Sequence, residues 1–181
     1  MQHLKKMKNN IKIISIILIC FSSCKNSNDK NIVTKQEEVI TNKKTTILLN
    51  SERNKWLEKS YGYEQWNPTE EDLKIIQVVL NDAIKNGEFD FLKKPVKQYI
   101  SKYYKQYIPY INTSGERIIE INAFCEILKI PPIPKSKNQE WTEMNWKKRY
   151  VMVDDGGSCY WKIQINIDKK EYYDFMVNGN A

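Results

Sequence analysis

The clearest hydrophobic pattern along the chain is that of a helix. Between residues 73 and 84, apolar side chains recur at spacings of three and four, at Leu73, Ile76, Val79, Leu80, Ala83 and Ile84. Asn67 can act as the N-cap, Pro68 occupies the first helical position, and Glu70 is placed for a capping box. Asn86 and Gly87 supply the C-terminal cap. The segment is therefore predicted to be an amphipathic helix of about 19 residues, with its apolar stripe in the core.

After residue 100 the hydrophobic period shortens to two, which is typical of β-strands. This alternation predicts strands over residues 103–111, 117–127, 149–153, 159–167 and 171–177. Pro109 places the first of them at a sheet edge or a bulge, because proline cannot donate to the ladder. The order predicts an α+β fold in which one long amphipathic helix packs on a roughly five-stranded antiparallel sheet. The predicted domain spans residues 51–181.

Two aromatic segments lie outside these regular patterns. Residues 51–66 are expected to contain a short helix around Trp56. Residues 128–146, which include three prolines, are expected to form a long surface loop with Trp141 and Trp146 on either side of its polar part. Exposed tryptophans anchor protein interfaces and can stack on sugar rings, so these two are candidate binding residues. In the alternative, both rings fold back and cover the sheet.

The amino-terminal stretch carries an export pattern. Four lysines precede a nine-residue, almost wholly apolar run over residues 13–21, and this run is shorter than the roughly 20 apolar residues that span a bilayer. Ser22 and Ser23 then precede Cys24, an ending that resembles bacterial lipoprotein precursors. The resemblance implies that Cys24 is lipidated and that residues 1–23 are removed as a signal peptide.

The same resemblance has implications for location. Acylated Cys24 would attach the chain to a lipid bilayer, with residues 24–50 as the lipid anchor and a disordered tether, since their polar composition buries little apolar surface. Lys25, the residue after the cysteine, implies the outer membrane of a Gram-negative bacterium rather than retention in the inner membrane. The alternatives are an ordinary signal peptide with a chance cysteine, or cleavage near Cys20.

Removal of the signal changes both the charge and the available chemistry. The full chain has a net charge of +7, but residues 1–23 contain four lysines and no acidic residue, which leaves 25 basic and 22 acidic side chains and a net charge of +3. This balance, together with export, argues against a nucleic-acid partner. The sole histidine is His3, so the mature chain lacks an imidazole for catalytic triads, general bases or zinc ligation. No cofactor or metal is expected.

Two cysteines remain once Cys20 and Cys24 are assigned to the signal and to the lipid. Cys125 and Cys159 both fall on the apolar faces of predicted strands. Outside the cytoplasm, such a pair is expected to form a disulfide across the core. The alternative is two buried, reduced thiols that pack as small hydrophobic side chains.

Carboxylates offer the remaining candidate chemistry. Asp154 and Asp155, with Glu126, Glu140 and Glu143, lie near predicted loops or strand ends, although Asp-Asp-Gly-Gly also suits a hairpin turn. We therefore expect a membrane-anchored envelope lipoprotein that acts as a non-enzymatic binding or structural module and contacts an envelope protein or polysaccharide. The alternatives are an inhibitor of an envelope or secreted hydrolase, and a carboxylate-dependent glycan hydrolase.

Overall fold

The computed structural model describes residues 43–134 and 140–179. In chain order the helices and strands are β1 (Thr45–Ile47), α1 (Glu52–Tyr61), α2 (Glu70–Lys85), α3 (Val96–Ile100), β2 (Tyr104–Ile111), β3 (Arg117–Phe124), β4 (Lys129–Ile130), β5 (Thr142–Glu143), β6 (Tyr160–Asn166) and β7 (Glu171–Val177). They make an α+β fold, as predicted. The predicted signal peptide, Cys24 and the tether up to residue 42 lie outside the described residues.

Five strands form the main sheet, in the order β1-β2-β3-β6-β7, while β4 and β5 pair separately. Within this sheet, the neighbouring strands among β2, β3, β6 and β7 are antiparallel to each other. Strand β1, however, runs parallel to β2, with Thr45 opposite Lys105 and Ile47 opposite Tyr107. The prediction of an antiparallel sheet is therefore wrong, and the sheet is mixed. Parallel neighbours need a long crossover, which the helices α1, α2 and α3 provide between β1 and β2.

Strand β1 lies inside the segment predicted to be a disordered tether. Thr45 and Thr46 are buried, and Leu48, just after the strand, is 1% exposed. The backbone N–H of Leu48 continues the pairing by donating to Tyr107 O at 2.9 Å. The prediction of a tether over residues 24–50 thus extends too far, because its last residues contribute an edge strand and a core side chain.

Helix α2 covers one face of the sheet. The residues that pack together there are Ile76, Val79, Leu80 and Ala83 of the helix with Ile119, Ile121, Ala123, Trp161, Ile163 and Ile165 of the central strands. The helix has 16 residues, fewer than predicted. Its cap is Thr69, whose hydroxyl accepts from Asp72 N at 3.3 Å while the Asp72 carboxylate accepts from Thr69 N at 2.8 Å. The cap predicted at Asn67 is therefore wrong, because this reciprocal pair starts the helix later.

Helix α1 and residues 144–153 cover the opposite face. The buried apolar residues on that side are Leu48, Leu57, Ile108, Tyr110, Ile118, Phe124, Trp146, Val151 and Tyr160. Because both faces are covered, even the polar side chains in the middle of the sheet are shielded from water. Gln106, Glu120 and Asn122 are only 0%, 3% and 4% exposed.

Residues 149–153, predicted to be a strand, form none in the structure. Val151 N donates to Gln106 Oε1 at 3.0 Å, and Val151 O accepts from Asn122 Nδ2 at 2.7 Å. Gln106 Nε2 also donates to Arg149 O at 2.7 Å. These two side-chain amides satisfy backbone groups that a neighbouring strand would otherwise pair. The hydrophobic alternation therefore reflects the burial of this segment against the sheet, not strand pairing.

Cys125 and Cys159 form a disulfide, as predicted, with their Cα atoms 5.0 Å apart. They continue the register of β3 and β6 one position beyond the pair Phe124 and Tyr160. Cys125 N also donates to Cys159 O at 3.0 Å. The bond lies at the end of the sheet with Cys125 exposed, so its expected position across the core is wrong.

Residues 154–156 turn the chain into a short 3₁₀ helix, Gly157–Cys159, and Gly156 and Gly157 have φ values of +98° and +54°. A Cβ atom at Gly156 would lie 2.5 Å from the ring of Tyr160, so glycine is required there for space as well as for conformation. Because no strand precedes the turn, it does not close the hairpin that the sequence predicts. Asp154 and Asp155 are exposed on it.

Candidate functional site

The two tryptophans predicted to bind a ligand lie in different environments. Trp141 is 63% exposed, whereas Trp146 is only 6% exposed. The Trp146 ring packs edge-on against Tyr104 and Phe124, at centroid distances of 5.2 and 5.8 Å. Trp146 is therefore a core residue and is not available to a ligand, and the two rings do not form a common surface.

A different group of aromatic side chains is exposed along α1. Trp56 and Tyr61 are 45% and 51% exposed, and their rings meet edge-to-face at 5.2 Å. Tyr61 stacks on Tyr63 at 5.2 Å, and Tyr63 stacks on the buried Tyr110 at 4.8 Å with an interplanar angle of 4°. We call these four residues the aromatic row. It runs from the core to the surface, so each exposed ring is supported by the next.

Capping at both ends of α1 fixes the position of this row. Ser51 N donates to Asn54 Oδ1 at 3.0 Å, and Asn54 N donates to Ser51 Oγ at 3.4 Å. The helix ends at Gly62, whose φ of +71° lets the chain reverse. The returning chain then pairs with the sheet, where Glu64 and Ile111 exchange hydrogen bonds of 3.1 and 2.7 Å. Tyr61 and Tyr63 therefore lie on either side of a fixed turn.

Two cavities flank α1, and we call them together the α1 groove. The larger, of about 510 Å³, is lined by Glu52, Arg53, Trp56, Arg149, Tyr150 and Met152. The smaller, of about 320 Å³, is lined by Arg53, Trp56, Leu57, Tyr61, Tyr63, Tyr110, Asn112, Gln164, Tyr173 and Asp174. Arg53 and Trp56 line both cavities. Trp56, which is 45% exposed, is therefore a wall residue common to both cavities.

Arg53 is held in place by a buried carboxylate behind the groove. Its Nε and Nη2 atoms donate to Glu120 Oε1 and Oε2 at 3.2 and 2.5 Å, and Tyr150 OH donates to Oε1 at 2.8 Å. The guanidinium also lies over the rings of Trp56 and Tyr150, with centroid distances of 4.5 and 5.4 Å. This bidentate and stacked arrangement fixes the cation beside Trp56.

The electrostatics of this group follow from burial and from Glu120. Burial lowers the pKa of Arg53, but the hydrogen bond to Glu120 and its negative charge outweigh that effect, and the pKa lies above its ordinary value. Burial, followed by the charge of Glu120, raises the pKa of Tyr150. Arg53 therefore stays charged and Tyr150 stays a neutral hydrogen-bond donor. Both oxygens of Glu120 accept hydrogen bonds, which makes it a positioning group for the cation.

Polar side chains line the smaller cavity opposite the aromatic row. Gln164 Nε2 donates to Asp174 Oδ2 at 3.1 Å, and the Tyr110 hydroxyl donates to Gln164 Oε1. Asp174 has a φ of +50°, at a point where the pairing of β6 and β7 shifts register. Aspartate tolerates this left-handed conformation better than most residues. The cavity thus combines aromatic rings on one side with an amide and a carboxylate on the other.

The carboxylates singled out in the sequence do not contribute to this groove. Neither Asp154 nor Asp155 lines either cavity, and Glu126, Glu140 and Glu143 are likewise outside both. The sequence reasoning did not identify Trp56 or Arg53 as ligand-binding residues. A signal that could have found them is the density of aromatic residues between positions 56 and 63.

The described residues provide no cluster of three or more His, Cys, Asp or Glu side chains that could hold a metal ion. Across residues 43–134 and 140–179, no helix is both long and apolar enough to cross a membrane.

Comparisons with known proteins give no match to this chain among family models, curated proteins or solved structures.

Proposed function

We propose that the chain is a lipid-anchored, non-enzymatic domain of the bacterial cell envelope that binds a polysaccharide in the α1 groove. The observation that carries the proposal is the environment of Trp56. Its ring is 45% exposed, it contacts Arg53 and Tyr61, and it lines both cavities of the groove. In this proposal Cys24 carries the lipid and holds the domain at the outer membrane.

The groove suits a sugar because it offers both apolar and polar contacts. A sugar ring has an apolar C–H face that can stack on an aromatic ring, and hydroxyl groups around its edge that need hydrogen-bond partners. Trp56 and Tyr61 provide exposed rings, while Gln164 and Asp174 provide an amide and a carboxylate. Because Trp56 lines two cavities, of about 510 and 320 Å³, the groove has room for more than one sugar unit.

The distribution of carboxylates favours binding over hydrolysis. Glycoside hydrolysis requires two carboxyl groups about 5 to 10 Å apart on either side of the scissile bond. Glu52 is the one carboxylate among the residues that line the larger cavity. Asp174 is the one carboxylate among the residues that line the smaller cavity. Glu120 lies behind Arg53 and is 3% exposed. No acid and base pair therefore lines either cavity of the groove.

The test is affinity electrophoresis of the full chain in detergent through gels that contain envelope polysaccharides. We expect a retained wild type, and a loss of affinity of about tenfold in Trp56→Ala, which corresponds to about 1.4 kcal/mol for the loss of a stacking ring. Trp141→Ala is the matched control, because Trp141 is more exposed but lies outside the groove.

Equal weakening by both substitutions would contradict a role for the α1 groove, and no retention of the wild type on any polysaccharide would contradict the proposed ligand class. Analysis of the gel polysaccharide for new reducing ends separates binding from hydrolysis. Release of reducing ends that depends on Glu52 or Asp174 would replace the binding proposal with the hydrolase alternative.

A further inference from the structure

A third cavity lies between α2, α3 and β2, and it differs in character from the α1 groove. Its volume is about 250 Å³, and seven of the ten residues that line it are polar. Two of them, Lys97 and Lys105, are cationic, and none of the ten is acidic. A site of this size holds several water molecules at roughly 30 Å³ each, so it has room for a small solute.

Lys105 is the most constrained cation of this cavity. Its ammonium donates to Ile100 O at 2.9 Å and to Tyr103 O at 3.3 Å, two backbone carbonyls without formal charge. An ammonium group has three N–H donors, so these two carbonyls leave one N–H for a further acceptor. Burial, followed by the positive charge of Lys44, lowers the pKa of Lys105 to about 8. A bound anion would offset both unfavourable contributions.

The uncharged walls of the cavity supply further donors. Gln77 and Asn81 lie on α2 and Ser101 follows α3, with Thr45 of β1 close to the sheet edge. Tyr107 is buried, and burial raises the pKa of its hydroxyl to about 12 although a hydrogen bond with Gln77 lowers it. The hydroxyl therefore remains protonated at neutral pH.

We propose that this cavity binds a small dissolved oxyanion, with the Lys105 ammonium at its base and Lys97 at its rim. The shared chemistry is that of phosphate, sulfate and carboxylate groups, which accept several hydrogen bonds and carry the negative charge that the lysines need. The site is separate from the α1 groove and does not depend on the proposed polysaccharide.

The experiment is a titration of the full chain in detergent, monitored by backbone amide NMR shifts, with sulfate, phosphate and acetate as separate probes. We expect saturable shifts at Lys97 and Ser101. Lys97→Met and Lys105→Met should each weaken binding about tenfold or more, while Lys129→Met, at an exposed position outside the cavity, should leave it unchanged. Because Lys97 is exposed, its substitution should be compatible with folding even if Lys105→Met is not.

The pH dependence with sulfate gives a second readout, since the charge of sulfate is constant near neutral pH. Titratable groups near Lys105 are Lys44 before β1, whose charge acts on it, and Lys97 of α3 and Tyr107 of β2, which line the same cavity. Binding should weaken as the pH rises above about 8, where Lys105 loses its proton. Linear, non-saturating shifts, or binding that Lys105→Met and Lys97→Met leave unchanged, would overturn the proposal. Preference for phosphate or for acetate would identify the class of oxyanion.

Discussion

Burial raises the pKa of several tyrosine hydroxyls, so these groups keep their protons to a higher pH. In the described part of the chain, the pKa values of six tyrosines are raised, and burial is the first cause in each case: Tyr103, Tyr107, Tyr110, Tyr150, Tyr160 and Tyr173. The unfolded chain exposes the same hydroxyls to water, where tyrosine ionises at a pKa of about 10. The folded protein therefore holds more protons than the unfolded chain above that pH.

Tyr107→Phe tests this difference at one residue. The folded-state pKa of Tyr107 is raised to about 12, so its contribution to stability is complete below about pH 10 and is lost as the pH rises towards 12. Within that window, Tyr107 alone should lower the free energy of unfolding by up to about 1.4 kcal/mol per pH unit. Urea unfolding at about pH 9, 10 and 11 should show a smaller decline in Tyr107→Phe than in wild type. The exposed Tyr61→Phe is the control, and equal declines in all three proteins would contradict the assignment.

The elements show why some of the fold could be predicted from the sequence and some could not. Helix α2 was predictable because its stripe of apolar residues depends only on spacing within the helix. Strand β1 was not, because three residues are too few to establish a period and its partner β2 lies far along the chain. Residues 149–153 were predicted to be a strand from their hydrophobic pattern, and that pattern reflects the burial of Val151. The pattern indicates which residues are buried but not how their backbone groups are paired. The backbone groups of Val151 bond to the side chains of Gln106 and Asn122, which lie elsewhere in the chain.

The same distinction explains the outcome for the candidate site. Trp146 and Trp56 both occur in largely polar stretches, yet one is 6% exposed and the other 45%. Trp146 is buried by contacts with Tyr104 and Phe124. Both residues are distant from it in sequence, so a local pattern could not predict its burial. For Trp56, helix geometry was informative, since its neighbour Leu57 is buried and adjacent residues of a helix point in different directions. Because Leu57 of α1 packs in the core, the adjacent Trp56 points towards solvent.

The contribution of the disulfide to the stability of the fold can be measured directly. Cys125 and Cys159 are 34 residues apart in sequence, and closing a loop of that length should stabilise the fold by about 3 to 4 kcal/mol through the unfolded chain. Cys125→Ser/Cys159→Ser should therefore unfold at lower urea concentration with an unchanged far-UV circular dichroism spectrum, because β3 and β6 remain paired along seven positions. Reductant should produce the same loss in wild type and no further loss in the double variant. A wild type whose midpoint is insensitive to reductant would contradict this prediction.

At the scale of the whole molecule, the two proposed sites depend on opposite faces of one sheet and share the strand β2. Tyr110 of β2 supports the aromatic row, and Lys105 and Tyr107 of the same strand line the oxyanion cavity. Strand β1 pairs with β2 at residues 105–107. The integrity of both sites therefore requires the residues just before position 51, which the sequence pattern assigned to a tether.

A comparison of fragments 43–181 and 51–181 tests whether the domain begins before β1. The shorter fragment lacks β1 and Leu48, which is 1% exposed and packs with Leu57 and Ile108. Loss of this side chain alone should cost about 2 to 5 kcal/mol, and loss of the β1 pairing exposes the edge of β2 as well. We expect 43–181 to unfold cooperatively in urea and 51–181 to be unfolded or aggregated. Leu48→Ala in the longer fragment should give an intermediate stability, because it keeps the strand and removes only the side chain. If both fragments unfold at the same urea concentration, the domain begins at residue 51 and β1 is dispensable to it.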